Sequence, residues 1–287
     1  MKIQSISICV PGGCYNRCKF CVSRMHTEKY ANKIDRSHHD IYHEDYIKRL
    51  LFARDNGCNT LIITGAGEPL INKSFIEYFF ELNNNLPNPF HWLEIQTSGA
   101  TLDDEYLVFL RNGGVSTISL SLSSLFSDAE NTKYNDPVKK EYSIKITELC
   151  AKIKSYDFNL RLSLNMTDFY NSTSPEEIFN RLVELKIDQV TFRILYKSGT
   201  DCEQDRWIDE HACDKNVINR ITEYVKEQGS KLEVLPFGAI KYSVAGVSTV
   251  IDDDCMSKEV SDTLKYVILR ENCKLYSKWD DSGSLIF

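Results

Sequence analysis

The feature that most constrains the fold is a change of hydrophobic period that recurs along the chain. Ile3–Val10 alternates polar and apolar residues, as a strand with one dry face does. Residues 43–57 then place Tyr46, Leu50, Leu51 and Ala53 at helical spacing. The same switch follows five more times. The predicted strands are Leu61–Thr64, Trp92–Thr97, Val115–Ser121, Leu160–Asn165 and Val190–Leu195. The predicted helices cover 73–84, Asp103 to Gly113-Gly114, 139–155, Pro175 to about Leu185 with Ser174 as N-cap, and 214–228. Six βα units in series require parallel strands joined by right-handed crossovers. Eight such units close a barrel of about 250 residues, so six that end near residue 229 predict an incomplete one. The expected fold class is therefore α/β, a partial (β/α)6 TIM-type barrel. Residues 1–229 would form the barrel. Residues 230–287 would form a short irregular α+β extension packed on it, with strands at Lys231–Leu235, Val247–Ile251 and Tyr266–Leu269.

Composition removes several alternatives. The net charge of −7 argues against a bulk basic surface for nucleic acid. The longest uncharged run, Asn112 to Ser127, is too rich in Ser and Gly to cross a bilayer. The N-terminal run reads as a first strand that stops at Pro11 rather than as an export signal, so a reducing cytoplasmic setting is expected. There, clustered cysteines point to metal or redox chemistry rather than disulfides.

The chemistry-bearing motifs fall at strand ends. Directly after the first strand comes Cys14-Tyr15-Asn16-Arg17-Cys18-Lys19-Phe20-Cys21. Three thiols in eight residues of loop can converge on one metal centre. A structural zinc site needs a fourth ligand, for which Cys9 or His26 are the nearby choices. A cubane iron–sulfur cluster on three thiolates leaves one iron open to a small molecule. Three unrelated free thiols are the plain alternative. After the second strand stands Thr64-Gly65-Ala66-Gly67-Glu68-Pro69, after the third Ser98-Gly99, at the fourth Ser119 to Ser124, and at the end of the fifth Asn165. Taken singly, Glu68 also reads as a helix-start acid, Ser121 and Ser123 as a polar strand face, and Asn165 as a turn residue.

The CxxxCxxC loop with an aromatic before its third Cys, followed in order by these motifs, resembles the radical S-adenosylmethionine (radical SAM) superfamily over about residues 3–195. The resemblance implies a [4Fe-4S] cluster on Cys14, Cys18 and Cys21, with S-adenosylmethionine (SAM) chelating the fourth iron. It implies that Ala66, Gly67 and Glu68 offer backbone groups to the methionine ammonium and that Phe20 lies near the adenine. Ser98 would form the small turn beside them, and Ser121, Ser123 and Asn165 would reach the ribose or carboxylate. GAGEP departs from the commoner GGEP by inserting Ala66. The implied activity is reductive cleavage of SAM to a 5′-deoxyadenosyl radical that abstracts hydrogen from a substrate. A one-electron donor such as flavodoxin or ferredoxin would supply the electron.

Arg17, Lys19, Arg24, Arg193 and Lys197 fall where strand ends should open into the barrel. Phe192 and Ile194 suit the helix-facing side, which turns Arg193 inward, where a guanidinium needs an anion: SAM, substrate or an internal carboxylate. A small anionic metabolite or nucleotide is the first substrate expectation. Peptide modification, glycyl-radical-enzyme activation and RNA methylation are alternatives within the family. A non-catalytic iron–sulfur or zinc protein is the alternative outside it. Cys9, Cys58 and Cys150 read as buried small hydrophobes. Cys202, Cys213, Cys255 and Cys273 lack the compact spacing of an auxiliary cluster. His38-His39 reads as surface.

Overall fold

The computed structural model describes residues 2–25, 41–235, 238–252, 263–279 and 283–287, so His26, His38-His39 and Cys255 lie outside the described residues. In chain order the elements are β1 (Lys2–Ile3), β2 (Ser5–Cys9), α1 (Val22–Met25), α2 (His43–Asp55), β3 (Thr60–Thr64), α3 (Lys73–Asn85), β4 (Trp92–Thr97), α4 (Asp104–Asn112) and β5 (Val115–Leu122). They continue with α5 (Asp128–Asn135), α6 (Ile146–Ser155), β6 (Asn159–Met166), α7 (Pro175–Glu184), β7 (Gln189–Ile194), α8 (Glu203–His211) and α9 (Lys215–Gln228). The chain ends with β8 (Ser230–Val234), β9 (Ile240–Val244), β10 (Val247–Asp252), β11 (Thr263–Leu264), β12 (Val267–Leu269) and β13 (Leu275–Tyr276).

Strands β2 to β7 lie side by side in sequence order, all parallel, as six βα units require. The sheet then grows at both edges. β10 joins β7 in parallel and carries the antiparallel β9 and β8. β12 joins β2 in parallel and carries β13. Among the described residues the end strands β13 and β8 are not paired with each other, so the sheet is an open, partial TIM-type barrel. Among the described residues no helix is long and apolar enough to cross a membrane.

A parallel strand covered on both faces is ordinarily apolar throughout. Here alternate positions are polar. Ile6, Ile8, Leu61, Ile63, Leu160, Leu162, Val190 and Phe192 are buried in the core, and the Phe192 ring meets Phe179 of α7 at 5.9 Å. Their alternates, Ser5, Ser7, Thr60, Arg161, Gln189 and Thr191, line an inner cavity of about 520 Å³. The helices follow from local signals. Asp103 caps α4, and Ser174 and Glu177 form a capping box on α7 behind Pro175.

The structure differs from the sequence expectation in two connections, β5 to β6 and β7 to α9. Residues 139–155 do not form one helix. A single turn at Lys140–Tyr142 precedes α6, which starts at Ile146 because the Asp128 carboxylate accepts its N–H at 2.9 Å. Helices α5 and α8 have no counterpart in the periodicity, and both cover the cysteine loop.

Candidate functional site at the cysteine loop

The loop carrying Cys14, Cys18 and Cys21 leaves the C-terminal end of β2 and is tied down on two sides. On one side it pairs with the end of α5. Asn16 bridges Pro137, the Arg17 N–H donates to the carbonyls of Asn135 at 3.1 Å and Asp136 at 2.9 Å, and Val138 N–H donates to Tyr15. Asp136 ends α5 in the left-handed region at φ 44°, which turns these carbonyls toward the loop. The Cys18 thiol also donates to Asn135 O at 3.4 Å. On the other side, Glu68 N–H donates to Gly13 O at 2.9 Å. A Cβ at position 67 would stand 2.0 Å from Gly13 O, so only glycine permits that approach.

All three thiols are free. Burial pushes the Cys18 thiol well up, and Cys21 and Cys14 add to the shift. Burial also raises Cys14. Among the described residues no three Cys, His, Asp or Glu side chains are grouped tightly enough for a single metal ion. Zinc bonds of about 2.3 Å demand such a close group, whereas cluster thiolates bind different irons and stand further apart.

Glu68 is buried at the start of the turn after β3. Its carboxylate accepts from Thr97 Oγ1 at 2.7 Å, Ser98 N at 2.8 Å, Ser98 Oγ at 2.6 Å and Leu70 N at 3.3 Å. Burial raises its pKa against these four donors. The side chains of Glu68 and Ser98 thus hold each other, locking the ends of β3 and β4 together. Ala66 is exposed and Gly67 half-buried in this turn.

Asn165, Ser121 and Ser123 meet at the ends of β5 and β6. The Asn165 amide donates to Ser121 Oγ at 3.3 Å and Ser123 Oγ at 3.4 Å, and Ser123 Oγ donates to Asn135 Oδ1 at 2.9 Å. Asn131 accepts from Ser123 N at 2.8 Å. One buried network therefore joins these sequence-predicted residues to the helix that holds the cysteine loop. Asn131 and Asn135 carried no signal in the sequence beyond being polar.

Helix α8 lies against the loop's outer side. The Phe20 ring meets Trp207 at 5.7 Å, and Lys19 pairs with Glu203 at 2.8 Å. Trp207 also packs on His211 at 4.5 Å and edge-on to Tyr134 at 6.1 Å. Tyr134 donates a short hydrogen bond to Asp168, whose other oxygen meets His211 Nδ1 at 3.3 Å. Burial, then the Asp168 bond, raises the Tyr134 phenol. Of the bases marked in the sequence, Arg17, Lys19 and Lys197 make exposed pairs with Asp136, Glu203 and Asp209. Arg24 is exposed, and its Nη1 donates to Arg17 O at 3.3 Å.

Arg193 lines the inner cavity, beside Asn165 in register, and its Nε donates to Ser163 Oγ at 3.0 Å. The cavity thus begins next to the Asn165 network and runs to Thr60, Trp92 and Gln189, the first residues of their strands. Cys9, Cys58 and Cys150 are buried in the core. Cys202 occupies the N-cap position of α8 without a side-chain capping bond, Cys213 follows the helix, and Cys273 is buried after β12 with Tyr46 and Arg49 near it.

The radical SAM superfamily signature matches residues 8–182. The chain belongs to the radical SAM superfamily, whose members use a [4Fe-4S] cluster and SAM. No curated protein matches it by sequence. Among solved structures it is similar to SuiB of Streptococcus suis bound to SAM, at 14% identity and TM-score 0.61, over 98% of this chain and 61% of that one. It is similar to HemN, the coproporphyrinogen III oxidase of Escherichia coli, at 16% identity and TM-score 0.53, over 80% of this chain and 54% of that one. It is also similar to anSMEcpe with bound SAM and the Kp18Cys peptide, at 14% identity and TM-score 0.60, over 99% and 77%. The chain spans less than two thirds of SuiB and HemN. The residues present fit the cofactors. Three thiols with no disulfide partner share one braced loop, and a glycine cradle abuts it. The buried Asn16 Oδ1 between the first two cysteines has no partner among the described residues.

Proposed function

We propose that the chain is a radical SAM enzyme that abstracts a hydrogen atom from a substrate held in the inner cavity. When bound, the reduced cluster and SAM supply a 5′-deoxyadenosyl radical for this step. Cys14, Cys18 and Cys21 would hold the cluster. The Ala66–Glu68 backbone would take the methionine ammonium, with Ser98 fixing Glu68. Phe20, backed by Trp207, would border the adenine. The Ser121, Ser123 and Asn165 network would meet the ribose or carboxylate. Flavodoxin or ferredoxin would deliver the electron. The wall of helices behind the sheet keeps water from one side of the cavity.

The observation that carries the reading is that Arg193, which lines the cavity, pairs in register with Asn165, whose hydrogen-bond network reaches the helix that braces the cysteine loop. Arg193 stands at the junction beside Asn165. Its guanidinium would anchor a carboxylate or phosphate of the substrate, or the SAM carboxylate. A small anionic substrate is the first choice. A peptide is the second, supported by the peptide seen with anSMEcpe at the same fold. The test is anaerobic reconstitution and dithionite reduction, followed by product analysis. The expected products are 5′-deoxyadenosine and methionine, with Arg193→Ala weakening SAM or substrate binding in a protein that keeps its cluster. SAM binding without cleavage by a verified reduced cluster contradicts the reading.

A further inference from the structure

The lower half of the cavity holds a polar network that hydrogen abstraction at the cysteine loop does not require. Glu94 on β4 is buried, only 4% exposed. Arg161 reaches it from β6, its Nη1 lying 2.7 Å from both carboxylate oxygens. The reach crosses β5, which presents only Ser119 between Gln96 and Arg161 in register. Gln96 Nε2 donates to Glu94 Oε1 at 3.1 Å, and Arg161 Nε donates to Gln189 Oε1 at 3.3 Å.

What this leaves unused defines a ligand. Arg161 Nη2 and the Gln189 amide nitrogen carry hydrogens with no partner among the described residues, and the Gln96 carbonyl oxygen is an open acceptor. All three residues line the cavity. The Glu94–Arg161 pair is neutral as a unit. A phosphate here would bring further negative charge close to the buried Glu94 carboxylate. An amide suits it better, because its carbonyl accepts from Arg161 and Gln189 while its N–H donates to Gln96. Gln189 and Arg193 share the inner face of β7 four residues apart, about 13 Å at ~3.3 Å per residue. That is the reach of roughly four residues of extended peptide.

We propose that the lower cavity is a peptide subsite. An extended peptide would place a carboxylate at Arg193 and a backbone amide on Arg161, Gln189 and Gln96. The proposal rests on the reading that the substrate occupies this cavity, and it selects a peptide over a nucleotide or phosphorylated metabolite.

The test is calorimetric titration of the reconstituted, SAM-loaded protein with acetyl-tetraglycine, which has amides along its length and a free carboxylate at one end. Inorganic phosphate and ADP serve as competitors. Saturable binding is expected, without displacement by either competitor. Gln189→Leu removes the amide donors at similar volume and should weaken binding roughly threefold to tenfold, the worth of one or two hydrogen bonds. Gln189 is chosen because Arg161 also neutralises Glu94, so its loss threatens the fold. If Arg193→Ala weakens the peptide and Gln189→Leu does not, the cavity still holds the ligand and the subsite is refuted. Displacement by ADP or phosphate also overturns the peptide assignment. No saturable binding at all removes both the subsite and the cavity reading beneath it.

Discussion

Gly67→Ala asks whether the cysteine loop depends on the turn after β3. The added methyl would stand 2.0 Å from Gly13 O and 2.6 Å from Gly13 C. Both are backbone atoms, so no side-chain rotation relieves the overlap. The two segments must part, and the 2.9 Å bond from Glu68 N–H to Gly13 O goes with them. Forced overpacking costs about 1–3 kcal/mol. A lost hydrogen bond adds about 0.5–1.5 kcal/mol. The sum, roughly 1.5–4.5 kcal/mol, lowers the midpoint of thermal unfolding by several degrees, since about 1 kcal/mol moves a domain of this size by ~2 °C. Gly13→Ala is the matched control, because nothing lies within 4 Å of a Cβ there. The assay compares thermal unfolding of the metal-free proteins with iron and sulfide content after reconstitution. Gly67→Ala should lose both stability and cluster content, while Gly13→Ala should retain them. A Gly67→Ala protein with parental melting and full cluster content refutes the reasoning.

Further predictions rest on the same contacts. Ser98→Ala takes the 2.6 Å hydroxyl bond from the buried Glu68 carboxylate and should cost about 1–3 kcal/mol in denaturant unfolding. Because burial already raises the Glu68 pKa in the folded state, that state holds the proton more tightly than the unfolded one. Glu68's contribution is therefore full below the unfolded carboxylate range and declines as pH rises through the folded value, and Ser98→Ala should deepen the decline. The Cys14 and Cys18 thiols are raised by burial and, as proposed cluster ligands, would have to ionise, so cluster assembly should improve with rising pH, read as iron bound per chain. Arg161→Met strands the Glu94 charge and should cost about 3–5 kcal/mol, while the double variant Glu94→Leu/Arg161→Met should recover most of it.

Most of the framework was legible because each element carries its own period. Trp92–Thr97 was bounded correctly since its flanks are turns, and α7 because Ser174 and Pro175 form a start signal. The inward turn of Arg193 followed from strand alternation alone. The two site-covering helices were not legible. α5 (DAENTKYN) and α8 (EQDRWIDEH) do not bury an apolar stripe against the sheet. Their work is done by Asn131, Tyr134, Asn135 and Trp207, each of which finds its partner only once distant segments come together. The cavity was hidden for a related reason. Sequence reads Glu94 and Arg161 as two polar residues 67 positions apart, and only the register of β4, β5 and β6 joins them.

The central claim is that Cys14, Cys18 and Cys21 hold a SAM-binding cluster. Electron paramagnetic resonance of the reduced, anaerobically reconstituted protein, recorded before and after SAM is added, tests it most directly. The account predicts one [4Fe-4S] cluster per chain, a signal that changes when SAM binds, and loss of both in the protein with all three cysteines changed to Ala. Zinc at full occupancy in the parent, or iron retained by the triple variant, contradicts it.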